Sequence, residues 1–221
     1  MIMEIEVIRS YLPLYRDALL LTLRIGWQGV FWAFIIALLC TVIRQLRIPV
    51  LRRAVTVYVE VLRNTPLLVQ LFFLYFALPK IGIRIEAETC GSLGLGLLGG
   101  AYMAETFRSG LDNIARIQEE SALSLGMSRF QAFLYVILPQ AVTASIPGIV
   151  ANVIFLLKET SVFSVISLMD LMFTAKDLIG MYAKTIECLT LLVVFYLIML
   201  LPVSLLGTML ERRLRHAEFG N

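Results

Sequence analysis

Long apolar runs separated by short charged segments dominate the chain. Four runs, at about 18–43, 54–79, 88–110 and 185–210, are each long enough to cross a hydrocarbon core, which takes roughly 20 apolar residues of helix. A fifth stretch, 130–170, is apolar but interrupted by Pro139, Pro147 and Lys158, and has room for one span over 130–157 plus a second, shorter element. The pattern predicts an all-α integral membrane protein with five transmembrane helices in one domain. Residues 1–17 read differently. Ile5, Ile8, Leu12 and Tyr15 are interleaved with Glu6, Arg9, Arg16 and Asp17, which suits a short amphipathic helix on the outer surface. This start lacks a basic n-region followed by a cleavage site, so no signal peptide is expected.

Composition supports the pattern: 59% of the 221 residues are hydrophobic, against nearer half in a soluble domain. A net charge of +3 is too small to suggest a nucleic-acid partner. The placement of charge says more. Arg44, Arg47, Arg52 and Arg53 follow the first run, Arg212, Arg213 and Arg215 follow the last, and Arg108, Arg116 and Arg129 flank a central polar loop. The positive-inside rule makes these three segments cytoplasmic, with the N-terminus outside and the C-terminus inside. Cys40, Cys90 and Cys188 have no metal-ligand spacing and read as small apolar packing residues.

Within the spans a few residues are expensive in lipid. A charge in hydrocarbon costs at least roughly 2.5–3.5 kcal/mol, so it needs a partner or a wet cavity. Glu60 and Arg63 share one helix face, with Arg63 near the midplane if Arg53 marks the inner boundary. Pro66 is expected to kink that span. Tyr102 and Glu105 share a face of the glycine-dense third span, where Gly96 and Gly100 form a small-residue pair suited to close helix packing. Lys158, Glu159, Thr160 and Ser161 follow an apolar run containing Pro147 and Gly148, where a broken helix is expected. Trp27 and Trp32 are expected to pack against another helix. Together these clusters supply both signs of charge, as a zwitterion requires.

The central loop, Gln118–Gln140, is more specific. Helix-forming residues Glu119–Leu125 precede Gly126, a natural C-cap, and Ser128 is placed to cap the next helix; Arg129 and Phe130 open it. Two short helices joined at Gly126 make a compact knob. Glu120, Ser121, Ala122, Gly126 and the pair Leu138–Pro139 resemble the EAA motif of ATP-binding cassette (ABC) importer permeases. Three further stretches resemble the polar amino-acid branch of type I ABC importers: Tyr58 to Gln70, with Glu60, Arg63, Thr65 and Pro66; Ala101 to Arg108, with Tyr102 and Glu105; and Lys158 to Ser161. The similarity covers about residues 14–215. It departs from the pattern at Ser121, Asn64, Glu159 and Glu119.

The resemblance implies a permease subunit of an ATP-driven importer of polar amino acids in the bacterial cytoplasmic (inner) membrane. It implies a second permease copy or paralogue, an ATPase dimer, an extracytoplasmic amino-acid-binding protein, and surrounding lipid. It implies no cofactor in this chain, with ATP and Mg bound by the ATPase. It assigns 116–130 to coupling and the clusters at Glu60 and Arg63, Tyr102 and Glu105, and Lys158 to Ser161 to the substrate path. The Gly96–Gly100 face is a candidate contact for the second copy. An intramembrane enzyme lacks support, since His216 in the basic tail is the one histidine and no paired acids have catalytic spacing. The competing reading is a secondary transporter or channel for small polar solutes.

Overall fold

A computed structural model describes the backbone of residues 5–46 and 48–219. Arg47, residues 1–4 and the side chains of 215–221, with Arg215 and His216, lie outside the described residues. The described residues are helical or in turns: α1 (Ile5–Gln45), α2 (Pro49–Arg63), α3 (Leu67–Phe72), α4 (Ala87–Asp112), α5 (Arg116–Ser124), α6 (Arg129–Ala132), α7 (Leu138–Glu159), α8 (Leu171–Tyr182) and α9 (Thr185–Phe219).

Three described helical stretches are long and apolar enough to span: Glu6–Gln45, Arg129–Ile166 and Thr185–Leu214. A fourth is a bent pair, Pro49–Arg63 with Leu67–Ile81, turned by 105°. Helix α4 fails the same test because glycine takes the place of aliphatic residues along it. It is nonetheless the centre of the structure. Its most extensive interface is with α1, followed by α7 and α2. The reason for the glycines is steric. A Cβ at Gly99 would stand 2.5 Å from Leu156 Cδ1 and 2.7 Å from Ala33 Cβ, and one at Gly100 would stand 2.6 Å from Ile36 Cγ2. Surrounded by helices rather than lipid, α4 gains contact area from smallness instead of hydrophobicity. Gly96 and Gly100 are therefore used within the subunit, against Trp32 and against Ile36 and Tyr58. That corrects their reading as the face for a second copy.

Helices α1 and α4 run side by side, and ion pairs mark both ends of the contact. Arg24 meets Glu88 at 2.6 Å and Arg44 meets Glu105 at 2.7 Å. Neither helix carries a charge between its two rungs. The roughly 20-residue separation in α1, at ~1.5 Å per residue, matches a ~30 Å hydrocarbon core. The other expected features need adjustment. Residues 5–17 are not a separate surface helix but the first turns of α1, which continues through Pro13. Tyr15 anchors them, fully buried and donating to the Cys188 carbonyl at 2.7 Å. Trp27 and Trp32 keep about half of their surface exposed, 46% and 48%. Cys40, Cys90 and Cys188 are free and buried.

The break expected at Pro147 is absent, since α7 runs through it. Proline removes one backbone rung there, and the close fit of Gly148 on Thr106 holds the helix in place. The discontinuity lies instead before Pro66, where Asn64 and Thr65 leave the helical path. A residue preceding proline is pushed out of the α region, which turns the expected kink into a full break.

Between the last two spanning helices, buried Asp170 caps α8 by accepting from the Phe173 and Met172 amides at 3.0 and 3.3 Å. Burial raises its pKa from 3.8 to about 6, against the lowering effect of those hydrogen bonds and of Lys176. A raised carboxyl pKa means the folded state prefers the protonated form, so Asp170 weakens the fold as pH rises from about 4 to about 6. The thermal midpoint of the wild type should therefore fall across that window more steeply than that of Asp170→Asn, which keeps a capping oxygen. The gap should approach about 3 kcal/mol at most above pH 6.

Packing gives a second expectation. Gly99→Ala should cost about 1–3 kcal/mol by overpacking. Gly180→Ala, in α8 with nothing within 4 Å of its added carbon, should gain about 0.5–1 kcal/mol. Thermal unfolding of both variants in one detergent checks the contrast.

Candidate functional site: a charged cleft beside an interrupted helix

Helix α2 stops inside the membrane, and a helix end leaves four backbone carbonyls without partners. Side chains supply the missing donors. The Glu60 carbonyl accepts from Asn64 Nδ2 at 2.7 Å, and the Val61 carbonyl from Thr65 Oγ1 at 2.7 Å. The Leu62 carbonyl accepts from Gln70 Nε2 at 3.1 Å, and Arg63's carbonyl from the Tyr102 hydroxyl at 3.4 Å. Gln70 Nε2 also donates to the Thr65 carbonyl at 3.0 Å, across the break. The Asn-Thr-Pro run and the Gln four positions later are thus a capping set for a helix that ends where water is scarce. The Gln70 Oε1 atom is buried with no hydrogen-bond partner among the described residues.

Arg63, the last residue of α2, faces Glu105 of α4. Glu105 is a hub. Its Oε1 accepts from Arg44 at 2.7 Å, and its Oε2 accepts from Arg108 Nε at 3.0 Å and Nη2 at 2.8 Å. Arg63 Nη1 stands farther off at 3.9 Å, beyond hydrogen-bond reach. The Arg63 guanidinium lies over the Tyr102 ring, 5.2 Å from its centroid. Arg108 also pairs with Asp112 at 2.6 Å. Three guanidinium groups face two carboxylates, so the cluster is net positive.

Two clefts meet at this point. The first, of about 400 Å³, is lined by Arg63, Tyr102, Glu105, Thr106, Arg108 and Asn152, among others. Asn152 donates to Thr106 Oγ1 at 2.8 Å, tying α7 to α4. The second, of about 480 Å³, lies between the α2–α3 break and the end of α7. Arg63, Asn64, Thr65, Tyr102, Phe155 and Glu159 form much of its wall. Arg63 and Tyr102 belong to both.

The structure therefore brings together Arg63, Tyr102, Glu105 and Glu159. It does not bring in Glu60, which is exposed on α2 and forms no ion pair among the described residues, or Lys158, exposed on another face of α7. Thr160 is buried and donates to the Leu157 carbonyl at 2.7 Å, and Ser161 accepts from Ser164 at 3.5 Å. Arg44 and Arg108 were legible only as loop-flanking cations. Nothing in the sequence linked Arg44 to Glu105, 61 positions away.

At the inner end, α4 leads through residues 113–115 into α5. Gly126 adopts φ +84°, Met127 N donates to the Ala122 carbonyl at 3.2 Å, and Gly126 N donates to the Leu123 carbonyl at 3.0 Å. This is the Schellman closure of a helix. Ser128 then caps α6 in a reciprocal box with Gln131, at 3.2 and 2.9 Å. Ala122 is buried beneath the turn, while Glu120, Ser121, Ser128 and Arg129 are exposed. The apolar side chains of Leu125, Phe130 and Ile117 stand in solvent at 81%, 71% and 61% exposure. A hydrophobic knob this open on an inner face is a docking surface in search of a groove.

A helical membrane subunit with an interrupted span, a polar cleft and a projecting two-helix knob defines the permease class of transport proteins. The chain belongs to the family described as binding-protein-dependent transport system inner membrane component, which matches residues 29–216. Its relatives include the probable glutamine ABC transporter permease protein GlnP of Bacillus subtilis (strain 168), 36% identical over 79% of this chain and 80% of that protein. Another is the glutamine transport system permease protein GlnP of Escherichia coli (strain K12), 33% identical over 92% of this chain and 94% of that one. A solved amino acid ABC transporter with histidines matches with TM-score 0.91 and 32% identity, over 96% of this chain and all of that chain. The MetNI methionine ABC transporter, inward facing, shares the fold with TM-score 0.76 at 18% identity, over 93% of this chain and 98% of that chain.

These matches make the chain a type I ABC importer permease, a non-enzymatic subunit that moves amino acids across the inner membrane, and set aside the secondary-transporter reading. A permease of this class works with an ATPase and a substrate-binding protein.

The capping set carries its own expectation. Gln70→Leu keeps the bulk but leaves the Leu62 and Thr65 carbonyls without the amide donor. It should lower stability by about 1–3 kcal/mol. Thermal unfolding of the purified protein checks this, and an unchanged midpoint would exclude Gln70 from the cap.

Proposed function

We propose that the chain forms half of the translocation path of a polar amino-acid importer, crossing the membrane five times with α4 as the fifth span, its N-terminus outside and its C-terminus cytoplasmic. The positive-inside bias and the two charged rungs between α1 and α4 support this orientation. The path takes its polar wall from Arg63, Tyr102, Glu105 and Glu159, with Glu60, Lys158, Thr160 and Ser161 contributing from the exposed faces of the same helices. A second permease, a copy or a paralogue, completes the path across the exposed face of α2, where Pro49, Val50, Arg53, Ala54, Val57 and Tyr58 border an open groove. The relatives named for glutamine support a polar amino acid as cargo.

The knob of α5 and α6 seats on an ATPase dimer that binds ATP and Mg. The observation that carries this reading is the exposed apolar surface of Leu125, Phe130 and Ile117, held rigid by the Gly126 closure and the Ser128 box. Glu120, Ser121, Ala122, Gly126, Ser128, Arg129 and Phe130 form or support the contact. Closure of the ATPases moves the knob, and the knob moves the helices it is built on.

Gly126→Val should strain the positive-φ turn by about 1–2 kcal/mol without a clash, because nothing lies within 4 Å of the added carbon. ATP-driven amino-acid uptake in proteoliposomes with the partner ATPase and binding protein should fall at least tenfold, with membrane insertion intact. Glu120→Lys should act in the same direction. Normal uptake by both variants would remove the knob from coupling.

A further inference from the structure

Glu105 is the more obvious anion for a substrate ammonium group, yet it is already spent. Both of its oxygens are hydrogen-bonded to guanidinium groups, at 2.7 to 3.0 Å. Glu159 is in the opposite condition. It is half-buried on the wall of the upper cleft and has no ion-pair partner among the described residues. It also sits at the C-terminal end of α7, where the helix dipole favours a positive charge. Arg63, on the same wall, is the least committed cation of its cluster. It is 3.9 Å from Glu105 and donates no hydrogen bond among the described residues, so its five N–H donors are available.

The neutral groups of the cleft are just as lopsided. Asn64 spends an amide hydrogen on the Glu60 carbonyl and Thr65 spends its hydroxyl hydrogen on the Val61 carbonyl. A carbonyl partner can only accept, so the Asn64 amide nitrogen must face it and Oδ1 is turned the other way. What Asn64 and Thr65 still offer toward the cleft is acceptor oxygen. The rest of the wall is apolar, with Leu98, Phe155 and Val162, and it has no second free carboxylate. The volume, about 480 Å³, is in the range of small-molecule sites.

We propose that this cleft is a subsite for one zwitterionic amino acid with an uncharged, amide-type side chain. Arg63 takes the α-carboxylate, Glu159 takes the α-ammonium, and the Asn64 and Thr65 oxygens accept the side-chain N–H groups. The assignment rests on the amino-acid import reading above and adds the chemical class of cargo and the residues that select it. A glutamate side chain would meet acceptor oxygens with an acceptor. A lysine or arginine side chain would bring a second cation to a cleft whose one free carboxylate is taken.

The test uses the permease–ATPase complex in lipid nanodiscs without its binding protein. Probes are glutamine, glutamate, arginine, glutaramate (glutamine without its amino group) and glutaminamide (its α-carboxylate an uncharged amide). The wild type should prefer glutamine over each by roughly tenfold or more, the worth of one charge-assisted contact. Glu159→Gln should lose the preference over glutaramate and keep that over glutaminamide. Arg63→Gln should do the reverse, a one-sided loss that a merely structural role would not give. If either variant fails to assemble, Glu159→Asp and Arg63→Lys carry the same comparison. Retention of both preferences in both variants, tighter binding of glutamate or arginine than glutamine, or no binding of glutamine at millimolar concentration would overturn the assignment. Failure of the import reading looks different: the wild-type complex with its binding protein would then import no amino acid at all.

Discussion

A helix that ends inside a membrane must find donors for its last carbonyls, and the rest of this structure is arranged around that requirement. Water cannot supply them in hydrocarbon, where each unsatisfied group costs several kcal/mol. Here the donors are Asn64, Thr65, Gln70 and Tyr102. Three follow the break within seven residues, and one reaches over from α4. Pro66 enforces the stop by excluding the helical conformation before it. Because these side chains donate inward to the helix end, their remaining oxygens are left facing elsewhere. The polarity of the upper cleft thus follows from the capping of α2.

The second constraint is electrostatic. Glu105 would be prohibitive alone at this depth, and its partners come from α1, from α2 and from its own helix. Removing one member of a partly buried pair leaves an uncompensated charge, which costs far more than the pair contributes when intact. The hub therefore acts less as a source of stability than as a constraint on register. It requires the inner ends of α1 and α4 to stay level, as Arg24 and Glu88 require of the outer ends. Between the rungs, glycine at α4 positions such as 91, 94, 96, 99 and 100 lets the neighbouring helices come close enough for the ions to meet.

Local chemistry was legible in the sequence and distant pairing was not. The Gly126 turn and the Ser128 cap were readable because their signals lie within a few residues of their effects. The break at Pro66 was readable as a kink, but its 105° angle depends on Gln70 and Tyr102 holding the ends apart. Pro147 carried the same local signal and produced no break, because the contact between Gly148 and Thr106 holds α7 straight across it. Glu60 and Arg63 looked paired by spacing, yet Arg63 turns to α4, a choice made by tertiary contact. The Gly96–Gly100 face was recognised as a packing surface and assigned to the wrong partner, since spacing does not say which helix approaches. Of the candidate site, the residue types were legible, while their division into spent and available groups required the fold.

That division links the cleft to the knob. Helix α4 carries Glu105 and Tyr102 and passes through three connecting residues into α5. Helix α7 carries Phe155 and Glu159 and is continuous, through a wide turn at Phe133–Ile137, with α6. The two long helices are locked to each other at Gly148 on Thr106 and by the Asn152–Thr106 hydrogen bond. Close packing transmits displacement instead of absorbing it. A push on the knob therefore moves α4 and α7 together. Helix α2 is tied to them near the cleft through Tyr102 and the long, weak contact between Arg63 and Glu105. On the proposed reading this is where the path changes shape. Both walls that carry Glu105 and Glu159 move as a unit, and the wall that carries Arg63 is held to them by its weakest interaction.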